Sequence, residues 1–150
     1  MVRRDIDKEW LAAAIELSWR CPPADSAFSV GAILVSAAGQ VVATGYSRET
    51  DPRDHAEEVA LARAGGVALA GATLYSSLEP CLARVSRPVA CAELIASSDV
   101  RRVVIAWREP PLFQPGGGAA WLEEQGVEVV ELPELAAPAR AVNQQLLNRR

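Results

Sequence analysis

The sequence predicts one α/β domain, a mixed sheet of about five strands with helices on both faces. Three observations carry this. A chain of 150 residues suits one hydrophobic core rather than two. Apolar residues fall at helical spacing in some segments and in short β-type runs in others. After an early hairpin, helix and strand alternate, which is the order that builds parallel strands joined by crossovers.

Each element has its own signal. Trp10, Leu11, Ala14, Ile15 and Ser18 share a helical face, so a first helix is predicted over residues 7–20 and stopped by Cys21-Pro22-Pro23. Phe28–Ser36 and Gln40–Gly45 read as a hairpin around Ala37-Ala38-Gly39. His55–Ala64 reads as a helix closed by Gly65-Gly66, and Thr73–Ser77 as a short strand. Pro88–Ser97 is a predicted helix with proline in its first turn. Arg102–Trp107 is a continuous apolar run of the buried kind. Ala119–Gln125 is a helix, Val127–Glu131 the last strand, and one C-terminal helix is expected from about Glu134. The whole chain, residues 1–150, reads as one domain, with no repeat.

Composition narrows the function. Hydrophobic residues make up 50% and charged residues 23%, a globular balance. The net charge of −4 lacks the basic surplus of a duplex-binding protein, so no nucleic-acid partner is expected. No apolar run reaches the roughly 18 residues of a membrane span, and no signal-peptide core follows Met1-Val2-Arg3-Arg4. Three cysteines make a poor disulfide framework and suit a reducing cytoplasm, where they more often serve metals or catalysis.

The chemistry lies in three short pieces. His55, the chain's one histidine, stands in His55-Ala56-Glu57; Glu79-Pro80-Cys81 and then Cys91 follow. One histidine and two cysteines are a three-ligand set for zinc, one ion per chain, and leave the fourth tetrahedral position open, as in catalytic sites. Zinc lowers the pKa of a water there to about 7. Glu57, two residues from His55, is placed to move protons without binding the metal. Cys21 lies outside this pattern and reads as a partly buried free thiol.

A His-x-Glu followed by Pro-Cys and a second Cys resembles the zinc deaminases that attack an aminated ring carbon. In most of these the two cysteines are two residues apart. Here nine residues, Leu82–Ala90, separate them. That spacing, with Leu78-Glu79-Pro80-Cys81, Arg87-Pro88 and Cys91-Ala92-Glu93-Leu94-Ile95, resembles the pyrimidine deaminases of riboflavin biosynthesis within the cytidine/deoxycytidylate deaminase superfamily. Val30-Gly31-Ala32-Ile33-Leu34-Val35 and Arg101–Ala106 add to it, and Ala27–Ala32 with Gly45-Tyr46-Ser47-Arg48-Glu49 look most like the fungal type.

The resemblance implies a three-layer α/β/α cytidine-deaminase-like fold, at least a homodimer, and a pyrimidine substrate. That substrate would be a 2,5-diamino-6-(ribitylamino or ribosylamino)-pyrimidinone 5′-phosphate, with a separate reductase in the same pathway, since 150 residues hold no reductase domain. The family usually has Asn where Ser29 stands, and that Asn is a substrate contact by resemblance, so a changed substrate is an alternative. Other readings are a cytidine or nucleoside deaminase, a nucleic-acid base deaminase and a non-enzymatic zinc module. The intact His55-Ala56-Glu57 speaks against the last.

Substrate contacts are expected from Ser29, from the backbone of Ala56 and from Glu79, whose alternative is a solvated strand-end acid. Arg48, Arg84 and Arg87 are candidates for the phosphate, because a guanidinium binds it through a planar fork; the alternative is plain surface arginines. The loop Glu109–Gly118 reads as a lid or a partner contact.

Overall fold

The computed structural model describes residues 2–84, 87–113 and 115–148. Val85, Ser86 and Gln114, which fall in the Cys81–Cys91 gap and the 109–118 loop, lie outside the described residues. The elements run α1 (Arg3–Ser18), β1 (Gly31–Val35), β2 (Val41–Tyr46), α2 (Ala56–Ala64), β3 (Thr73–Ser76), α3 (Cys91–Ser97), β4 (Arg102–Ile105), α4 (Gly118–Glu124) and β5 (Glu128–Glu131). A 3-10 turn (Pro133–Leu135), α5 (Ala136–Ala141) and α6 (Gln144–Leu147) close the chain.

The strands form one sheet in the order β2-β1-β3-β4-β5. β1 runs antiparallel to β2 and β3, while β3, β4 and β5 are parallel, so the sheet is mixed as predicted. β1, β3 and β4 are buried along their whole length, and in β1 and β4 this shows as a largely apolar run, whereas β3 carries Thr73 and Ser76 at its ends. β2, at the edge, alternates.

Two glycines show that helices cover both faces. A Cβ on Gly31 would overlap the Ala14 carbonyl of α1, and one on Gly45 would overlap the Ala56 carbonyl of α2. Gly45 lies opposite Ala32, the neighbour of Gly31 on β1. Successive residues of a strand face opposite sides, so α1 and α2 lie on opposite faces. Each close approach requires glycine. α2 packs on α3 and α3 on α4, a row on one face, while α1 packs with the 3-10 turn.

The boundaries differ from the expected ones for local reasons. α1 begins at Arg3, four residues early, with the N–H groups of Asp5 and Ile6 donating to the Val2 carbonyl to close an extra first turn. Phe28–Val30 is not strand: Ser29 is held by a side chain, and Val30 by Ser47, whose N–H donates to its carbonyl and whose hydroxyl takes its N–H. α3 begins at Cys91 rather than Pro88, since the N–H groups of Cys91 and Ala92 go to the sulfur and carbonyl of Cys81. The single C-terminal helix is corrected to a turn and two short helices. The break is at Asn143, whose buried side chain accepts the Ser29 N–H at 2.6 Å and donates to the Ser29 carbonyl at 3.1 Å.

Candidate metal and active site

The site forms where the C-terminal end of β3 meets the starts of α2 and α3, a crevice of the kind that binds ligands in open α/β sheets. His55 is the residue before the first turn of α2, and its N–H is capped by Glu58 Oε1 at 3.0 Å. Cys81 follows β3 in a buried corner, and Cys91 opens α3. His55 Nδ1 lies 3.5 Å from Cys81 Sγ and 3.5 Å from Cys91 Sγ. All three ligand atoms fall within 4.8 Å of one another. A tetrahedral zinc with Zn–S near 2.3 Å and Zn–N near 2.0–2.1 Å has an S–N edge of about 3.5 Å, so the donor set fits this ion in type and spacing.

Glu57 sits beside this triangle with 3% of its surface exposed. Burial, aided by the negative charge at Cys81, pushes its carboxyl up to about 7. Ser76 Oγ lies 3.1 Å from Glu57 Oε2 and 2.8 Å from the Leu78 carbonyl. One hydroxyl has one proton. It donates to an ionised Glu57, or turns to Leu78 and accepts from a protonated Glu57. The same hydroxyl therefore serves both protonation states of Glu57. Sequence reasoning missed Ser76, because a serine at a strand end carries no signal of its own.

Two cavities meet here. A small one of about 40 Å³ is walled by His55, Glu57, Cys81, Glu79, Phe28 and other residues. A wider one of about 630 Å³ is walled by Phe28, Arg48, Arg53, His55, Arg84, Phe113 and others. The second is large enough for a small-molecule ligand.

The expected substrate contacts are distributed as follows. Glu79, 3% exposed, has both carboxylate oxygens occupied by backbone: Oε1 accepts the Glu109 N–H at 2.9 Å and Oε2 the Ala119 N–H at 2.8 Å. It thus ties down both ends of the 109–118 loop, which carries Phe113 onto Phe28 and into the wall of the wider cavity. Ser29 is buried, and its Oγ accepts from Arg48 Nη2 at 2.7 Å. Arg48 also donates to the carbonyls of Pro22 and Phe28, and holds a left-handed backbone at φ 60°. Ala56 is fully buried at the start of α2. Arg84 and Arg87 both pair with Glu58, and Arg87 also with Asp54. Arg48 and Arg84 line the wider cavity; Ser29, Ala56 and Arg87 line neither.

Comparison with known proteins agrees with this geometry. Residues 4–107 match the family described as the cytidine and deoxycytidylate deaminase zinc-binding region. The chain belongs to this family. It is 38% identical over 128 residues to the diaminohydroxyphosphoribosylamino-pyrimidine deaminase of Schizosaccharomyces pombe, a match covering 83% of this chain and 31% of that protein. The RibD structure of Acinetobacter baumannii superposes with a TM-score of 0.79 at 32% identity, over 95% of this chain and 39% of that one. The Rib2 deaminase of Aspergillus oryzae, solved in complex with DARIPP, shares the fold at a TM-score of 0.74 and 22% identity, over 95% and 96% of the two chains. The chain spans about a third of the length of the curated relatives it matches. Zinc is the metal of the family, and His55, Cys81 and Cys91 are the group that fits it. Among the described residues no helix is long and apolar enough to cross a membrane.

Proposed function

We propose that this chain catalyses the zinc-dependent hydrolytic deamination of an amino-pyrimidine, with release of ammonia. The substrate we assign is a 2,5-diamino-6-(ribitylamino or ribosylamino)-pyrimidinone 5′-phosphate of riboflavin biosynthesis. The observation that carries the reading is the buried Glu57 carboxyl in one small cavity with His55 and Cys81. A purely structural metal site has no use for it. The names of the curated relatives and the long Cys81–Cys91 gap support the substrate class.

His55, Cys81 and Cys91 would hold the ion, and zinc supplies the acidity that makes hydroxide available from water at neutral pH. Glu57 takes a proton from the attacking water as its oxygen bonds to the aminated ring carbon. It passes that proton to the adjacent ring nitrogen, and then serves the departing amine as the C–N bond breaks. The products are the ring carbonyl and ammonia. Ser76 holds Glu57 Oε2 through both steps.

The aminated edge of the ring faces the small cavity, and the rest of the ring and the sugar phosphate lie in the wider one. Of the three candidate arginines, Arg48 donates to the neutral oxygens of Pro22, Phe28 and Ser29, whereas Arg84 and Arg87 face carboxylates. The reading therefore assigns the phosphate to the Arg48 side. The protein works as a homodimer in the cytoplasm, with a separate reductase acting on the same intermediates.

Ammonia release from zinc-loaded protein tests this, with the ribityl and ribosyl phosphates and cytidine run in parallel. Turnover of either pyrimidinone phosphate well above cytidine is the expected result. Turnover of cytidine alone, or of none by a zinc-loaded protein, would overturn the substrate assignment.

A further inference from the structure

Arg84 stands inside the nine-residue gap that separates the two cysteines. Its side chain is 2% exposed, which is deep for an arginine on a loop. Nη1 points at Cys91 Sγ at 3.8 Å, within reach of an N–H to sulfur hydrogen bond. Nη2 donates to the Arg53 carbonyl at 2.7 Å and to Glu58 Oε1 at 3.1 Å. That same Glu58 oxygen accepts the His55 N–H. A continuous chain of hydrogen bonds therefore runs from the backbone of His55 through Glu58 and Arg84 to the sulfur of Cys91. It joins two ligands 36 residues apart in sequence without passing through the metal position.

The sulfurs are treated alike. Cys81 Sγ accepts the Cys91 N–H at 3.3 Å, and Cys91 Sγ, which is fully buried, receives Arg84. A metal-binding cysteine must be a thiolate, and a buried thiolate without a donor or a nearby cation is costly. Two of them beside one another also repel once both are ionised to hold an ion. A guanidinium held in place by Glu58 offsets that cost at the more deeply buried of the two.

We propose that Arg84 is a positioning residue of the metal centre: it donates to the Cys91 thiolate and, through Glu58, holds Cys91 and His55 in register for zinc. This rests on the zinc-site reading above, and it gives the long inter-cysteine gap a purpose. With two residues between the cysteines, position 84 would be the second cysteine itself.

The test measures zinc affinity by competition with a chromophoric chelator, and the near-ultraviolet sulfur-to-metal charge-transfer band of the cobalt-substituted protein. Variants are Arg84→Met, Arg84→Lys and Glu58→Gln. Arg84→Met is expected to weaken zinc binding by about 10- to 100-fold, the range for groups that orient metal ligands. It should also move the cobalt band to longer wavelength, because the thiolate loses its donor. Arg84→Lys keeps the charge but loses the fork, so it recovers part of the affinity. Glu58→Gln, which keeps an acceptor for His55 and leaves Arg84 beside the sulfur, should cost less than Arg84→Met.

Folded Arg84→Met with wild-type zinc affinity and an unmoved cobalt band would overturn the proposal. So would equal losses in Glu58→Gln and Arg84→Met, since a plain loop tie predicts equality. If Arg84→Met does not fold, Arg84→Lys decides: an unmoved band and unchanged affinity overturn the proposal, and a shifted band with weaker binding supports it. A wild-type protein that takes up no zinc would instead overturn the metal-site reading itself.

Discussion

Tyr75 and Ser76 are neighbours on β3 and serve two buried polar clusters on opposite sides of the sheet. On the α1 side, the Tyr75 hydroxyl donates to Asp7 Oδ1 at 2.7 Å, and Arg102 grips both Asp7 oxygens at 2.9 and 2.6 Å. On the α2 side, Ser76 reaches Glu57 beside the metal ligands. Both clusters hold a buried acid, yet the acids behave oppositely. Burial would raise the Asp7 carboxyl, but the Arg102 and Tyr75 hydrogen bonds and the Arg102 charge outweigh it, and the result lies below the usual range. Glu57 has no guanidinium bonded to it; burial and the negative charge at Cys81 outweigh the His55 charge and the Ser76 hydrogen bond, and its carboxyl is pushed up instead. The first cluster is closed by its own partners and adds specificity to the fold. The second opens on a cavity. What separates the two clusters here is a guanidinium bonded to the acid, present at Asp7 and absent at Glu57.

Glu57→Gln is the sharpest test of that contrast. Loss of a general acid–base group should lower kcat by about 10²- to 10⁴-fold, with zinc per chain unchanged by metal analysis. Wild-type turnover in that variant would end the proton-carrier role. Asp7→Ala should do the reverse. Leaving Arg102 buried with only the exposed Glu128 as a charged partner costs up to roughly 3–5 kcal/mol, read by denaturant unfolding, while kcat/KM measured well below Tm stays at the wild-type value. A parallel fall in activity would show that the two clusters communicate through β3.

The pH dependence sharpens the same point. Because the folded Asp7 carboxyl lies below its ordinary value of 3.8, its contribution to stability is complete above that value. It is lost as the pH falls through the lower folded value. The stability gap between wild type and Asp7→Ala should therefore be flat near neutrality and shrink below about pH 4, followed by urea unfolding at stepped pH. A gap that widened in acid would mean that the Asp7 carboxyl is raised, not lowered.

The smallest effect is expected at Glu79. In Glu79→Gln, one end of the amide meets a backbone N–H with another N–H group, and a buried donor left unpaired costs about 1–3 kcal/mol. The expected result is faster hydrogen exchange across residues 109–119 and a KM raised by about tenfold, with kcat within threefold. An unchanged KM with a loosened loop would remove that loop from the substrate cavity's wall.

Much of this was legible in the residues. β1 and β4 announced themselves because they are buried along their whole length, which leaves an apolar run in the chain itself. His55, Glu57, Cys81 and Cys91 were legible because metal ligation and proton transfer demand particular residue types in a particular order. The break at Asn143 was not legible, because the helix yields there to Ser29, 114 positions away.

By itself, then, the sequence determined the fold class and the zinc donors, and it singled out Glu57 beside them, since each depends on local periodicity or on residue chemistry. Only the tertiary structure decided what the arginines and Glu79 are for. An arginine's charge and fork are the same at positions 48, 84 and 87. Whether they serve a ligand, a thiolate or a carboxylate depends on what folding brings within 3–4 Å, and that is Glu58 and Cys91 for Arg84 and three neutral oxygens for Arg48.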